Sequence, residues 1–243
     1  MRDGSCVAPE DLSARMPGRF AWRPARPGLR GCRAAVLAAA LLAAGCTDRM
    51  QPSDDRFGRG GELIAMSGGE GGARYACGVC HGARGEGNGY DAPRLAGLPA
   101  GYLQKQMEDF AVGLRPHAVM RDVARFLDSH ERVLVSRYYA ALAPVAMAST
   151  SEEAPAASTA ALYARACGSC HGPAGAGGPD GPPLNAQPAF YIAQQLQDWQ
   201  RSRRRNDGEQ VMLKVAQSLG PGEVRQLGLY LAATPPRRAD PVR

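Results

Sequence analysis

Two stretches of the chain share one arrangement of reactive side chains, Cys77-Gly-Val-Cys80-His81 and Cys167-Gly-Ser-Cys170-His171. Cysteines three positions apart on one helical turn face the same side, so both sulfurs can reach a single planar ligand. The histidine that follows is then held beneath the centre of that ligand. The chemistry this spacing serves is thioether attachment to the two vinyl groups of a haem, with an imidazole nitrogen on its iron. Gly82 and Gly172 come next and let the backbone turn close to the ring. Zinc would need two further ligands per site, and no cysteine remains in either stretch to supply them. Thioredoxin-like redox exchange expects a βαβ setting, and no strand alternation is present. The expected cofactors are therefore two covalent haem c groups with their iron. Cys77, Cys80, Cys167 and Cys170 form the thioethers, and His81 and His171 are the proximal ligands.

The elements that must position these groups occur twice. The Cys-x-x-Cys-His-Gly segments match at an offset of 90. Leu95, Pro99, Tyr102, Gln106, Asp109 and Phe110 match Leu184, Pro188, Tyr191, Gln195, Asp198 and Trp199 at an offset of 89. Met120, Val123, Ala124, Leu127, Glu131 and Tyr138 match Met212, Val215, Ala216, Leu219, Glu223 and Tyr230 at an offset of 92. Offsets that change only between segments describe a duplicated unit with small loop insertions. Apolar residues at three- and four-residue spacing predict helices over Tyr102–Val112 and Tyr191–Trp199. A capping-box pattern, Asp128-x-x-Glu131, starts the last helix of the first copy, and Pro221 opens its counterpart. The fold class is all-α.

The register also selects the sixth iron ligand. Met212 is the one Met after the linker, and its partner in the first copy is Met120. A methionine on a helix is usually core filler, but matched positions after each haem motif favour an axial role. Met107, His117 and His130 also follow the first motif, and His117 is the main rival to Met120. A thioether is a soft neutral donor that favours ferrous iron, so His/Met ligation raises the reduction potential. Iron held on both faces exchanges electrons but has no open position for a substrate.

Composition bounds the rest. The chain has 243 residues, 30 Gly, 19 Pro and only 6% aromatics, which suits small loop-rich domains whose core is completed by a bound apolar body. Arg30 and Arg33 precede an apolar run, Ala34–Ala44, too short to span a bilayer. The run ends in Leu42-Ala43-Ala44-Gly45-Cys46, the pattern of a bacterial lipoprotein signal, with Ala43 where Leu is usual. Cys46 is the expected lipid-bearing residue, an ordinary secretory signal being the alternative. Asp3, Glu10 and Asp11 are foreign to a signal segment and point to Met16 as its start. The leader carries seven of the 29 basic and three of the 23 acidic residues, leaving 22 and 20, a net charge of +2. So slight an excess, in an exported chain, gives no support to nucleic-acid binding. Cys6 and Cys32 fall in the leader, so no cysteine is left for a structural disulfide.

Over residues 62–234 the chain resembles the tandem di-haem class I cytochromes c, of the cytochrome c4 type. The resemblance rests on the ordered set CxxCHG, Pro-x-Leu or Pro-Leu, aromatic helix, Met, then a Leu- and Tyr-bearing terminal helix, seen twice. With the leader, the polar Gly-rich stretch after it and the Ala-, Ser- and Pro-rich stretch between the copies, the chain divides into a signal peptide at 1–45, a flexible tether at 46–61, a first cytochrome c domain at 62–143 and a linker at 144–160. A second cytochrome c domain at 161–236 and a tail at 237–243 complete the chain. Each domain is expected as a small helical fold wrapped around one covalent haem. The Gly-rich segment Ser67–Gly72 departs from the family's N-terminal helix, which is expected earlier, around Glu62–Met66, or else looser. The implied function is electron carriage in a periplasmic, membrane-tethered respiratory chain. Redox partners would be a quinol-oxidising complex, a dehydrogenase or a terminal oxidase, and the lipid anchor would meet the membrane surface. The alternatives are the cytochrome subunit of a dehydrogenase complex and, further off, a di-haem peroxidase or thiosulfate-oxidising enzyme. Arg201, Arg203, Arg204 and Arg205, close before Met212, read either as a docking patch for an acidic partner or as a solvated loop.

Overall fold

The structure, a computed structural model, describes residues 54–145 and 153–236. The signal segment, Cys46, the first part of the tether, residues 146–152 of the linker and the tail 237–243 lie outside the described residues. Helices make up all the regular structure among the described residues. The first repeat contains α1 (Asp54–Ser67), α2 (Cys77–His81), α3 (Ala100–Val112), α4 (Ala118–Phe126) and α5 (Ser129–Ala141). The second contains α6 (Thr159–Ala166), α7 (Gly168–His171), α8 (Ala189–Gln200), α9 (Val211–Gln217) and α10 (Pro221–Ala233).

Helix α1 takes in residues 54–61, which were expected to belong to the flexible tether, and includes the expected Glu62–Met66. Its glycines have a packing role: a Cβ on Gly61 would lie 2.3 Å from the Leu134 carbonyl oxygen, so only glycine lets α1 approach α5 this closely. Helix-breaking composition is outweighed by burial of Ile64 and Ala65. In the second repeat α6 takes the corresponding place against α10. Its Tyr163 sits in one core with Ile192, Leu196, Ala216, Leu219, Val224, Leu227 and Leu231.

The expected caps form. Asp128 accepts from the Glu131 backbone N–H at 2.8 Å, and Glu131 accepts from that of Asp128 at 2.9 Å. Pro221 occupies the first turn of α10, with Glu223 accepting from Gly220 N–H at 2.9 Å. The terminal helices α5 and α10 thereby start at fixed points and carry their apolar faces against α3 and α8. Burying those stripes supplies most of the packing energy, at about 25 cal/mol per Å² of apolar surface.

Candidate cofactor sites and the interface between the repeats

Each CxxCH segment forms a single helical turn that ends at a buried histidine. Gly172 (φ +71°) then turns the chain so tightly that a Cβ would lie 2.3 Å from the Gly177 carbonyl oxygen, and Gly82 (φ +79°) makes the same turn in the first repeat. The loops that follow are tied back in the same way. Gly87 and Gly177 donate to the His81 and His171 carbonyls, both at 2.8 Å.

The two imidazoles are held alike. Nδ1 of His81 lies 2.8 Å from the Pro93 carbonyl, and Nδ1 of His171 lies 2.8 Å from the Pro182 carbonyl. A carbonyl only accepts, so Nδ1 carries the proton. Burial lowers the proton affinity of both rings and keeps them neutral. Nε2 is therefore left with a bare lone pair, the form that binds a metal. Burial also pushes the Cys77 and Cys167 thiols up to about 11, the opposite of the low-pKa thiolate that exchange chemistry needs.

One continuous cavity of about 1340 Å³ is lined by Cys77, Cys80, His81 and Met120 from the first repeat and by Cys167, Cys170, His171 and Met212 from the second. This exceeds the roughly 300–1,000 Å³ usual for one small-molecule site. Both methionine backbones are pinned by a preceding side chain. Asp207 accepts from Met212 N–H at 2.5 Å, and His117 Nδ1 accepts from Met120 N–H at 3.2 Å. The His117 contact bears on its rivalry with Met120. An Nδ1 that accepts is unprotonated, so the neutral ring carries its proton on Nε2 and offers iron no lone pair. His117→Asn, which keeps a cap acceptor, is expected to leave both methionine-to-iron charge-transfer bands of the oxidised protein intact. Met120→Ala is expected to remove one of them, and loss of a band in His117→Asn would make His117 the ligand.

Between the two sets of ligands lies a cationic centre that the sequence pattern did not single out. Arg115 donates to Tyr191 Oη at 2.7 Å, Gln195 Oε1 at 2.8 Å and Gln106 Oε1 at 2.9 Å. Arg204 donates to Gln195 Oε1 at 2.8 Å and Gln106 Oε1 at 2.9 Å, with its guanidinium 3.9 Å from the Trp199 ring centre. Each arginine N–H bonds at 3.1 Å to the matching aspartate carbonyl, Asp109 or Asp198. The two are thus register partners at the 89 offset, five residues beyond Phe110 and Trp199. Burial, then Arg115, pushes Arg204 down to about 10, still a cation at neutral pH. Burial alone would raise the Tyr102 phenol, but Arg115 and Arg204 draw it below its usual value.

Arg204 therefore belongs neither to a docking patch nor to a solvated loop, because it is only 7% exposed at the seam between the repeats. Its neighbours differ. Arg203 pairs with Asp198 at 2.5 Å, and the Arg205 N–H bonds to the Leu114 carbonyl of the first repeat at 2.9 Å. The seam has a second crossing. Fully buried Arg94 receives Gln187 Oε1 on its N–H at 2.9 Å and donates to the Asn185 carbonyl at 3.1 Å. Arg94 follows Pro93, so the second repeat helps set the carbonyl that orients His81. At the matching place the second repeat has Pro183, which stiffens the chain by itself.

Haem fits this cavity on the chain's own evidence. The walls offer two thiols and one unprotonated imidazole nitrogen per repeat, with a thioether available to each. Arg115 and Arg204 bond to neutral oxygens only, and the indole N–H of Trp199 is buried without a partner. A flat apolar body with acidic edges satisfies all of these groups at once. Among the described residues no group of three or more His, Cys, Asp and Glu gathers to hold a bare metal ion.

A sequence profile described as cytochrome c oxidase, cbb3-type, subunit III matches residues 154–231. A Stutzerimonas stutzeri protein named thiosulfate dehydrogenase electron acceptor is 37% identical over 71% of this chain and 85% of its own length. Cytochrome c4 of Pseudomonas aeruginosa is 30% identical over 64% of this chain and 82% of its own. The solved thiosulfate dehydrogenase TsdBA of Marichromatium purpuratum superposes with a TM-score of 0.66 at 37% identity over 73% of this chain. This chain spans only 40% of the length of that protein. Reduced cytochrome c4 of Pseudomonas stutzeri superposes with a TM-score of 0.58 at 26% identity, covering 72% of this chain and 97% of its own. The chain belongs to the family of di-haem cytochromes c4, all-α proteins that carry two haem c groups and transfer electrons.

Proposed function

We propose that this chain is an exported di-haem electron acceptor for a thiosulfate-oxidising dehydrogenase and has no catalytic activity of its own. Cys77 and Cys80 would hold the first haem, with His81 and Met120 as its iron ligands. Cys167 and Cys170 would hold the second, with His171 and Met212. Haem c supplies reversible one-electron chemistry at its iron. The rest of the task falls to the protein. His81 and His171 present Nε2 because their Nδ1 protons are committed to Pro93 and Pro182. Met120 and Met212 lie on helices fixed at their first turns.

The observation that carries this reading is that one cavity presents a histidine and a methionine from each repeat, which would occupy both axial positions of each haem iron. Such a centre passes electrons on and does not itself bind thiosulfate or peroxide. The relatives named as electron acceptors of thiosulfate dehydrogenase favour that donor over the quinol-oxidising complexes that would otherwise serve. Export follows from the leader, and Cys46 is the proposed lipid anchor. Among the described residues no helix is long and apolar enough to cross a membrane.

The test mixes the oxidised holoprotein with thiosulfate and a purified thiosulfate dehydrogenase. Both haems are expected to become reduced only when enzyme and thiosulfate are present together. Thiosulfate oxidation by the holoprotein alone, with an added oxidant, would make it an enzyme instead.

A further inference from the structure

The internal repeat provides a built-in control for surface function, because fold and haem attachment are common to both copies. Around the first haem site, Val79 is 72% exposed, Val119 57% and Phe126 44%. Tyr75, Val79, Cys80 and Val119 line the cavity, and Phe126 stacks on Tyr75 with ring centres 5.2 Å apart. The matching positions of the second repeat are Arg165 for Tyr75, Ser169 for Val79 and Ser218 for Phe126, with only Val211 kept for Val119. Cys80 is exposed, whereas its counterpart Cys170 is half-buried. A CxxCH turn accepts Ser at this place, and the α9 end accepts Ser218, so neither Val79 nor Phe126 is required by the fold.

We infer that the first repeat carries the port where electrons cross to another protein, and that the partner seated there has an apolar patch with an acidic rim around its own redox centre. Exposed apolar side chains gathered around a cofactor edge are what a transient interface desolvates. The rim chemistry follows from Arg74, 4.8 Å over the Tyr75 ring, with exposed Arg121 and Arg125 against Asp122. Cations also occur on the second face, at Arg165 and Lys214, so it is the apolar centre that distinguishes the two. The second haem then serves as the inner or onward station. The identity of the partner as a dehydrogenase rests on the function proposed above, whereas the position of the port does not.

The test gives the first face the residues of the second, Val79→Ser with Phe126→Ser, in the full holoprotein. The mirror control is Ser169→Glu with Ser218→Glu. One arm is voltammetry on gold bearing a mixed methyl- and carboxylate-terminated alkanethiol layer, which offers the stated chemistry without any enzyme. The other is stopped-flow reduction by thiosulfate dehydrogenase with thiosulfate. The first variant is expected to lose about tenfold in adsorbed signal and in second-order rate, the scale of losing interface anchors. Its spectrum, midpoint potentials and reduction by dithionite should stay as in the wild type, and the control should match the wild type throughout. Wild-type adsorption by the first variant, or loss in the control, would overturn the port. A wild-type protein that the dehydrogenase does not reduce, together with a monolayer signal lost in the first variant, would overturn the partner's identity and uphold the port.

Discussion

Cys167→Ala combined with Cys170→Ala is expected to yield a chain with one covalent haem instead of two and a second repeat without fixed tertiary structure. The core around Tyr163 packs onto the cavity through Leu184, Ile192, Leu196, Trp199 and Met212. A cavity costs about 24 cal/mol per Å³ when its occupant is removed. Roughly half of the 1340 Å³ space, if it stayed empty and dry, would thus cost about 16 kcal/mol, as much as the whole stability of a domain. His171 alone cannot make this good, because coordination without the thioethers leaves the haem free to dissociate. Intact mass and a haem count measure the first effect. Amide exchange over α6 and α8–α10 measures the second, which should exceed any change in α1 and α5. A variant with native protection in α10 would show that the side-chain core is sufficient without its haem.

The candidate site was legible as a pattern because covalent attachment imposes a rigid spacing. Two cysteines, a histidine and the following glycine can be read directly, and the register pairs Met212 with Met120 rather than with Met107. The caps of α5 and α10 were legible for a local reason: Asp128, Glu131, Pro221 and Glu223 act within one turn. Helix α1 was legible only in part. Its middle packs closely on Leu134 in a way that only glycine at 61 permits, and a sequence pattern registers the poor propensity but not the contact.

The cationic seam was hidden by its setting. Arg204 stands in a run of arginines whose other members face solvent or pair locally, and a charge run carries no mark of which member is buried. The 89-residue register held the missing signal, since it pairs Arg204 with an isolated Arg115 beyond the aromatic helix. Tyr191, which the sequence marks only as the start of an aromatic helix, accepts from Arg115 across the seam.

Arg115→Leu and Arg204→Leu are each expected to lower both midpoint potentials and to cost about 3 kcal/mol of holoprotein stability. The stability loss arises because either change strips hydrogen bonds from Gln106 and Gln195 and would leave the acidic edges of a bound haem one cation fewer. The potentials fall because a nearby cation favours the reduced, less positive iron. A unit charge about 10 Å away at an effective dielectric of 20 contributes about 1.7 kcal/mol, equivalent to about 70 mV for one electron. Both arginines reach across the seam, so one substitution should move two haems, unlike Met212→Ala, which should move mainly one. The shared acceptors also make the pair non-additive, and the double variant should depart from the sum of the singles by about 0.5–3 kcal/mol. Spectroelectrochemical titration and denaturant unfolding of the four proteins measure these quantities. Single substitutions that shift only one midpoint, or a double variant that is strictly additive, would mean that the two arginines serve their own repeats and that the seam does not couple the haems.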